Sequence, residues 1–435
     1  MAVSGDGSTE SLTIGSRKSD LALWQAYEVL RLLRAAAPGA AFTLRTELAS
    51  GDVALDAPLA ALAAGCPGVF TKELEVALLA RAVDVAVHSL KDMPTALPAG
   101  LALVGVTARD DARDAVVLSQ RALERGARAL ADLPAGAVVG TSSLRREAYL
   151  RRAHPALAPA LVRGNLNTRL RKLDAPDGGF DALLLAGAGL ARLGWGARAT
   201  ALLDADDAPY GVGQGALGLE AREGDARARD LALAVTHAPT ALCVLAERAF
   251  LRAMQGGCQV PLGVDCALEG GAAARRGAAR GAEAAADGDG DGDGDDAGGA
   301  RTLTLTGTVS SLDGASTVTA TARAAVELPR GAARRVVNVW GLEAARAAAE
   351  AGAAEPAAPL PAGARWARVG VTREEWDALA EAGGALGAAL AKRIIAAGGD
   401  ALMGAARGEP RPITYGAAEA PLDRGGDAPA SAAPA

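Results

Sequence analysis

Short apolar runs rich in Val, Leu and Ala alternate with helical patterns through roughly the first two hundred residues, which restricts the chain to folds built from strand-and-helix units. Ser11 to Gly15 reads as a strand. It feeds a helix from about Leu21 to Ala36, where Leu21, Leu23, Trp24, Tyr27, Leu30 and Leu33 recur at helical spacing. Lys72 to Arg81 is a second amphipathic helix, and the run Val83-Asp84-Val85-Ala86-Val87 behind it is β-branched enough for a buried parallel strand. Ala137 to Gly140 with the helix Leu144 to Arg152, and Ala182 to Leu185 with the helix around Leu190, repeat the unit. A doubly wound α/β architecture is therefore predicted up to about residue 230. Ligands of such sheets sit beyond the carboxyl ends of the strands. Ser16 to Ser19, His88 to Asp92, Thr141 to Arg146 and Arg163 to Arg169 follow predicted strands or lie in neighbouring turns, so they are expected to converge on one cleft.

The pattern changes after Pro239. A helix from Thr240 to Met254 leads into the loop Gly256 to Pro261, and the alternating Thr and Leu of Arg301 to Ser310 read as antiparallel strand, so a separate α+β domain is expected. With 435 residues, 50% of them hydrophobic, the chain can bury cores for two or three domains. Residues 270–300, made of Ala, Gly, Arg and Asp, read as a disordered insertion, and the tail 408–435 as a second disordered segment. The run from Asp287 matches the first half of a calcium loop, but Gly298 stands where the twelfth-position Glu belongs, so a solvated linker is the expectation.

Net charge of −6 argues against a general nucleic-acid binder, which presents a surplus of Lys and Arg to phosphate. The four cysteines, Cys66, Cys243, Cys258 and Cys266, form no CxxC pair, which fits reduced thiols in a cytosolic-type compartment. With only His88, His154 and His237 to join them, no metal is expected. Met1 to Ser11 holds no apolar run and resembles neither a secretory signal nor an Arg-rich transit peptide. No stretch reaches the ~20 apolar residues of a membrane span, and a chain without membrane partners is expected.

Six arginines sit beside turn-forming or small residues in these segments: Arg17, Arg145, Arg146, Arg163, Arg169 and Arg192. Any one could be a surface helix charge, but several guanidinium forks gathered at strand ends suit a small molecule bearing many carboxylates. Thr141-Ser142-Ser143 before Arg145 and Arg146 adds hydroxyls and a helix start, which also favour an anion. Asp92 follows His88-Ser89-Leu90-Lys91 directly after a buried strand. A lone Asp in a loop is most often a cap, yet a carboxylate there could accept substrate N–H groups and stabilise a developing cation. His88 is expected to hold the turn. Cys258, between glycines and Pro261, lies on a loop where a thiolate can react with an electrophile, whereas Cys243 belongs in the core of an apolar helix.

Taken in order, nine segments resemble the signatures of the porphobilinogen deaminase (hydroxymethylbilane synthase) family. They are Ile14-Gly15-Ser16-Arg17-Lys18-Ser19, Leu21-Ala22-Leu23-Trp24-Gln25, Phe70-Thr71-Lys72-Glu73-Leu74-Glu75, Val87-His88-Ser89-Leu90-Lys91-Asp92-Met93-Pro94, Gly140-Thr141-Ser142-Ser143-Leu144-Arg145-Arg146, Arg163-Gly164-Asn165-Leu166-Asn167-Thr168-Arg169-Leu170, Gly189-Leu190-Ala191-Arg192-Leu193-Gly194, Val212-Gly213-Gln214-Gly215 and Gly256-Gly257-Cys258-Gln259-Val260-Pro261.

The resemblance implies two doubly wound α/β domains arranged as in periplasmic binding proteins, with a smaller α+β third domain. They would comprise residues 11–107 with 210–232, residues 111–208, and residues 235–407. It further implies a transferase that condenses four porphobilinogen molecules into the linear tetrapyrrole hydroxymethylbilane, releasing ammonia each time, on a dipyrromethane cofactor bound through Cys258. Asp92 would be the catalytic carboxylate and would also contact the cofactor, whose own carboxylates Lys91, Ser143, Arg145 and Arg146 would hold. Arg17, Ser19, Arg163, Arg169 and Arg192 would bind substrate and growing chain. A monomer in the cytosol, or in the plastid stroma of a photosynthetic host, is implied as well.

Two departures stand out. The loop 59–70, where the family usually carries lysines, is Ala-rich here, and Asp20 replaces a common proline, so that its charge beside Arg17 is expected to weaken anion binding modestly. The competing class, a clamp that binds a carboxylated ligand without catalysis, leaves a thiol on a third-domain loop without purpose.

Overall fold

The computed structural model describes residues 11–47, 71–176, 178–255, 260–269, 300–328 and 370–408. Cys66, Cys258, the loop 59–70, the 270–300 insertion up to its last residue and the tail beyond Gly408 lie outside the described residues.

The chain begins with β1 (Ser11–Arg17), α1 (Asp20–Ala36), β2 (Ala41–Glu47), α2 (Lys72–Leu79), β3 (Val85–Ser89) and β4 (Leu101–Val106). Helix α1 starts at Asp20, one residue before the expected Leu21, because extended Ser19 caps it: Ser19 Oγ accepts from Ala22 N, and Asp20 lies in the first turn where the helix dipole favours an anion. Helix α2 ends at Leu79 rather than Arg81. Arg81 takes a left-handed φ of 56°, and the amides of Ala82 and Val83 turn back to Ala77 O. Strand β3 starts two residues later than the apolar run suggests, since Asp84 serves as an edge bracket: Thr13 N donates to Asp84 Oδ2 (2.9 Å) and Asp84 N to Thr13 O (2.8 Å).

After β4 the chain crosses to a second sheet through β5 (Asp114–Leu118), α3 (Gln120–Glu124), β6 (Val138–Gly140), α4 (Leu144–Ala153), β7 (Ala158–Ala160), α5 (Leu166–Asp174), β8 (Ala182–Ala186), α6 (Gly187–Arg192) and β9 (Ala201–Leu202). It returns as β10 (Leu217–Arg222) and α7 (Ala226–Ala234). The sheet orders are β2-β1-β3-β10-β4 and β7-β6-β8-β5-β9. Both follow one plan, a parallel trio β2-β1-β3 or β7-β6-β8, followed by one antiparallel strand that arrives from the other sheet. Each sheet is thus mixed, and its parallel strands are buried on both faces, as in β3 and β8.

The remaining elements are α8 (Ala238–Ala253), β11 (Leu262–Glu269), β12 (Ala300–Ser310), β13 (Thr317–Glu327), α9 (Arg373–Ala396) and α10 (Gly399–Gly408), with an antiparallel sheet β11-β12-β13. Alternation along β12 sends Leu303 and Leu305 into a core shared with Phe250 of α8 and Leu386 and Leu390 of α9. Burying each such side chain contributes about 1.5–3 kcal/mol. Leu90 and Met93, which flank Lys91 and Asp92, belong to that same core. No single helix among the described residues is long and apolar enough to cross a membrane.

Candidate active site

Leu90 to Asp92 form a single 3-10 turn at the end of β3. Its position is set from three sides. Gln25, buried on α1, shares a hydrogen bond of 2.8 Å with Ser89 Oγ. From α8, Arg248 donates to Met93 O (3.2 Å) and Pro94 O (2.6 Å), and Arg252 donates to Thr95 O, so the helix leading towards residues 256–259 grips the segment just after Asp92. Burial without a carboxylate partner pushes the Arg248 pKa down to about 10. On the third side lies Gly213, with φ 72°, where a Cβ would come within 3.2 Å of Lys91 N. With Leu90 and Met93 anchored in the core, Lys91 and Asp92 project their charges from a rigid turn. Neither charge is taken up by a hydrogen bond or ion pair among the described residues. Burial lowers the Lys91 pKa to about 8, with Asp92 and Asp114 opposing and Arg146 and Arg169 adding to the shift. Arg146 reaches the same place through Gln214, which neighbours Gly213 and whose Oε1 accepts from Arg146 Nη2 (3.4 Å).

His88 does not hold the turn by hydrogen bonds, as its position suggested; it is buried with Nε2 3.0 Å from Glu220 Oε2 of β10.

Arg145 and Arg146 start α4 and converge on a residue that motif reading missed. Asp114, wholly buried at the head of β5, accepts from Arg145 Nη1 (2.6 Å), Arg146 Nη2 (2.8 Å) and Gln214 Nε2 (2.8 Å). Burial alone would raise its pKa, but the two guanidinium groups hold it well below the ordinary carboxylate range. The signal was present in the sequence, since Asp114 is the one charge opening an otherwise apolar strand. Arg145 also donates to Pro209 O and Arg146 to Leu184 O, while Arg146 Nε is buried without a partner. Ser143 precedes α4 in extended conformation, and its hydroxyl makes no cap hydrogen bond.

The two crossings between the sheets meet beside this cluster. Asp110 N donates to Gly215 O (3.0 Å), and a Cβ on Gly215, whose φ is 86°, would lie 2.6 Å from Asp110 O. Arg192, buried at the end of α6, donates to Asp110 Oδ2 (2.8 Å) and Gly215 O (2.7 Å) with its face over the Trp24 ring at 5.7 Å. Arg109 forks onto Glu247 of α8 at 2.6 and 2.8 Å, and Glu247 also accepts from Gly213 N. Burial works to lower the Arg109 pKa, but Glu247 outweighs it and raises the pKa above its ordinary value. Neither Arg109 nor Glu247 was singled out in the sequence.

Arg17 ends β1 and Ser19 caps α1 on the first wall. Arg163, which is buried, and Arg169, whose Nε donates to Gly164 O, flank the start of α5 on the second. The walls touch where Asn167 Nδ2 donates to Asp20 Oδ2 (2.7 Å). The Asp20 carboxylate is thus engaged by the second wall, a different outcome from the loose charge beside Arg17 that its position suggested. The structure brings the Lys91 turn, Gly213, Gln214 and Arg146 together; Cys258 lies outside the described residues.

Comparison with known proteins adds the following. A family model described as porphobilinogen deaminase, dipyromethane cofactor binding domain, matches residues 12–230, and one described as porphobilinogen deaminase, C-terminal domain, matches residues 241–273. A porphobilinogen deaminase of Synechococcus elongatus is 48% identical over 303 residues, covering 70% of this chain and 83% of the relative. One from Gloeobacter violaceus is 51% identical over 262 residues, covering 60% and 78%. Among solved structures, the periplasmic aliphatic sulphonate binding protein SsuA from Escherichia coli matches at 16% identity and TM-score 0.29, covering 57% of this chain and 71% of that one. A periplasmic binding protein from Brucella ovis with glutathione bound matches at 18% and 0.30, covering 56% and 72%.

Proposed function

The chain belongs to the porphobilinogen deaminase family, and on that premise we propose that Asp92 is the catalytic carboxylate of its cleft and Cys258 the attachment point of its cofactor. It is a transferase of tetrapyrrole biosynthesis, condensing four porphobilinogen molecules into hydroxymethylbilane with loss of ammonia at each addition. Its working parts are residues 11–107 with 210–232 and residues 111–208 as the two walls, and residues 235–407 as the domain that carries the tether.

The residues present suit a dipyrromethane. Such a group bears acetate and propionate carboxylates together with pyrrole N–H groups, so it needs cations and a carboxylate side by side. Lys91, the buried unpartnered Nε of Arg146 and the uncommitted Ser143 hydroxyl meet the first need, together with Arg145, and Asp92 meets the second. When bound, the cofactor supplies the terminal pyrrole α-carbon from which the chain grows.

Arg17, Ser19, Arg163, Arg169 and Arg192 receive the carboxylates of the incoming substrate and the growing chain. Arg192 does so through Nη1, since Nε and Nη2 are engaged at the crossings. As the C–N bond of the substrate's protonated aminomethyl group breaks, its electron pair leaves with nitrogen, which departs as ammonia, and positive charge spreads from the methylene carbon into the pyrrole. Asp92 accepts the pyrrole N–H and stabilises that charge from a turn already fixed, so that little reorganisation is needed. Growth of the chain would join that methylene carbon to the terminal α-carbon and free one proton, which the departed ammonia would carry away as ammonium. The observation that carries this reading is the uncommitted Lys91 and Asp92 pair on a turn clamped from three sides. The same reading makes the protein a monomer without nucleic-acid or membrane partner, in the cytosol or the plastid stroma.

Intact mass tests it. The purified protein should carry an added mass of dipyrromethane size that survives acid denaturation, and C258A should lack it. A wild-type chain that neither carries this mass nor acquires it from porphobilinogen overturns the proposal.

A further inference from the structure

The hydrogen bond between Asp20 and Asn167 joins the first residue of α1 to the second residue of α5, elements that belong to different sheets. Neither side chain caps its own helix. Ser19 caps α1, and α5 is capped by Asn165, whose Oδ1 accepts from Thr168 N (2.9 Å) and from the Thr168 hydroxyl. Both side chains are half-buried and meet across the cleft. Other residues in the first turn or so of α1 also lie near the second wall. A Cβ on Gly189 of α6 would lie 3.8 Å from Leu21, and Trp24, four residues after Asp20, lies under the Arg192 guanidinium. Covalently, the sheets are joined by the crossings after β4 and β9, and the Asp20–Asn167 hydrogen bond adds a non-covalent link between the two walls.

We propose that Asp20 and Asn167 form a strap that closes the cleft, and that they are positioning residues for substrate binding. The strap sets the separation between Arg17 with Ser19 on one wall and Arg163 with Arg169 on the other, so that one porphobilinogen can be held from both. A carboxylate in place of the family's common proline thereby gains a function that its charge alone would not suggest. The proposal rests on reading the cleft as the porphobilinogen site.

Holoenzyme variants test it. D20A and N167A each raise KM for porphobilinogen about tenfold, equivalent to about 1.4 kcal/mol, while kcat changes little. N167D sets two carboxylates against each other and raises KM likewise, and D20N/N167D, which restores a donor facing a carboxylate, brings KM back. Small-angle scattering of the unliganded holoenzyme gives a larger radius of gyration for D20A than for wild type. Wild-type KM in D20A and N167A, or a D20N/N167D variant no better than N167D, overturns the strap. A wild-type protein that does not consume porphobilinogen sinks the functional reading instead, and the scattering comparison, which needs no turnover, still decides whether the strap exists.

Discussion

Asp92 and Asp114 are carboxylates with opposite duties. Asp114 is wholly buried with its charge paired to Arg145 and Arg146, whereas Asp92 stands on a fixed turn with its charge unspent. Protein charges act on a transition state only when they are not already neutralised by the fold. D92N keeps the size and the turn but removes the charge, so kcat should fall roughly 10²–10³-fold with the thermal midpoint unchanged. Near-normal ammonia release by D92N would take the catalytic role away from Asp92. Asp114 acts through others, since its carboxylate holds two guanidinium groups in place.

At the scale of the element, the segment Val212-Gly213-Gln214-Gly215 is where the return crossing, the Lys91 turn and the buried polar network meet. Both glycines have positive φ, and each lies against backbone that a Cβ would strike. Gly215→Ala places a Cβ 2.6 Å from Asp110 O. Besides the ~1–2 kcal/mol of a left-handed alanine, it should force the crossings apart and displace the two hydrogen bonds that Arg192 makes there. The expected outcome is a lowered unfolding midpoint in urea together with a raised KM. Unchanged values of both would show that the crossings tolerate separation.

Over the whole molecule, the third domain is fastened to the crossings by Arg109 and Glu247 and to the Asp92 segment by Arg248 and Arg252. E247Q leaves the Arg109 charge without its counter-charge, which should cost about 3–5 kcal/mol of stability by urea unfolding, and R109M/E247M should recover much of that loss because no lone charge is left behind. An E247Q protein as stable as wild type would mean that the pair does not fasten the domains. By itself the sequence determined the alternation of strand and helix, the separate antiparallel segment at Arg301 to Ser310 and the arginines at strand ends. These are local matters of periodicity and turn chemistry, written within a few residues of each other. Only the tertiary structure decided what each charge faces. Arg145 and Arg146 turn to Asp114, more than thirty residues away, and Asp20 turns to Asn167, 147 residues away. Partners so distant leave no trace in local spacing, because their meeting is set by how two sheets exchange strands and close on one another.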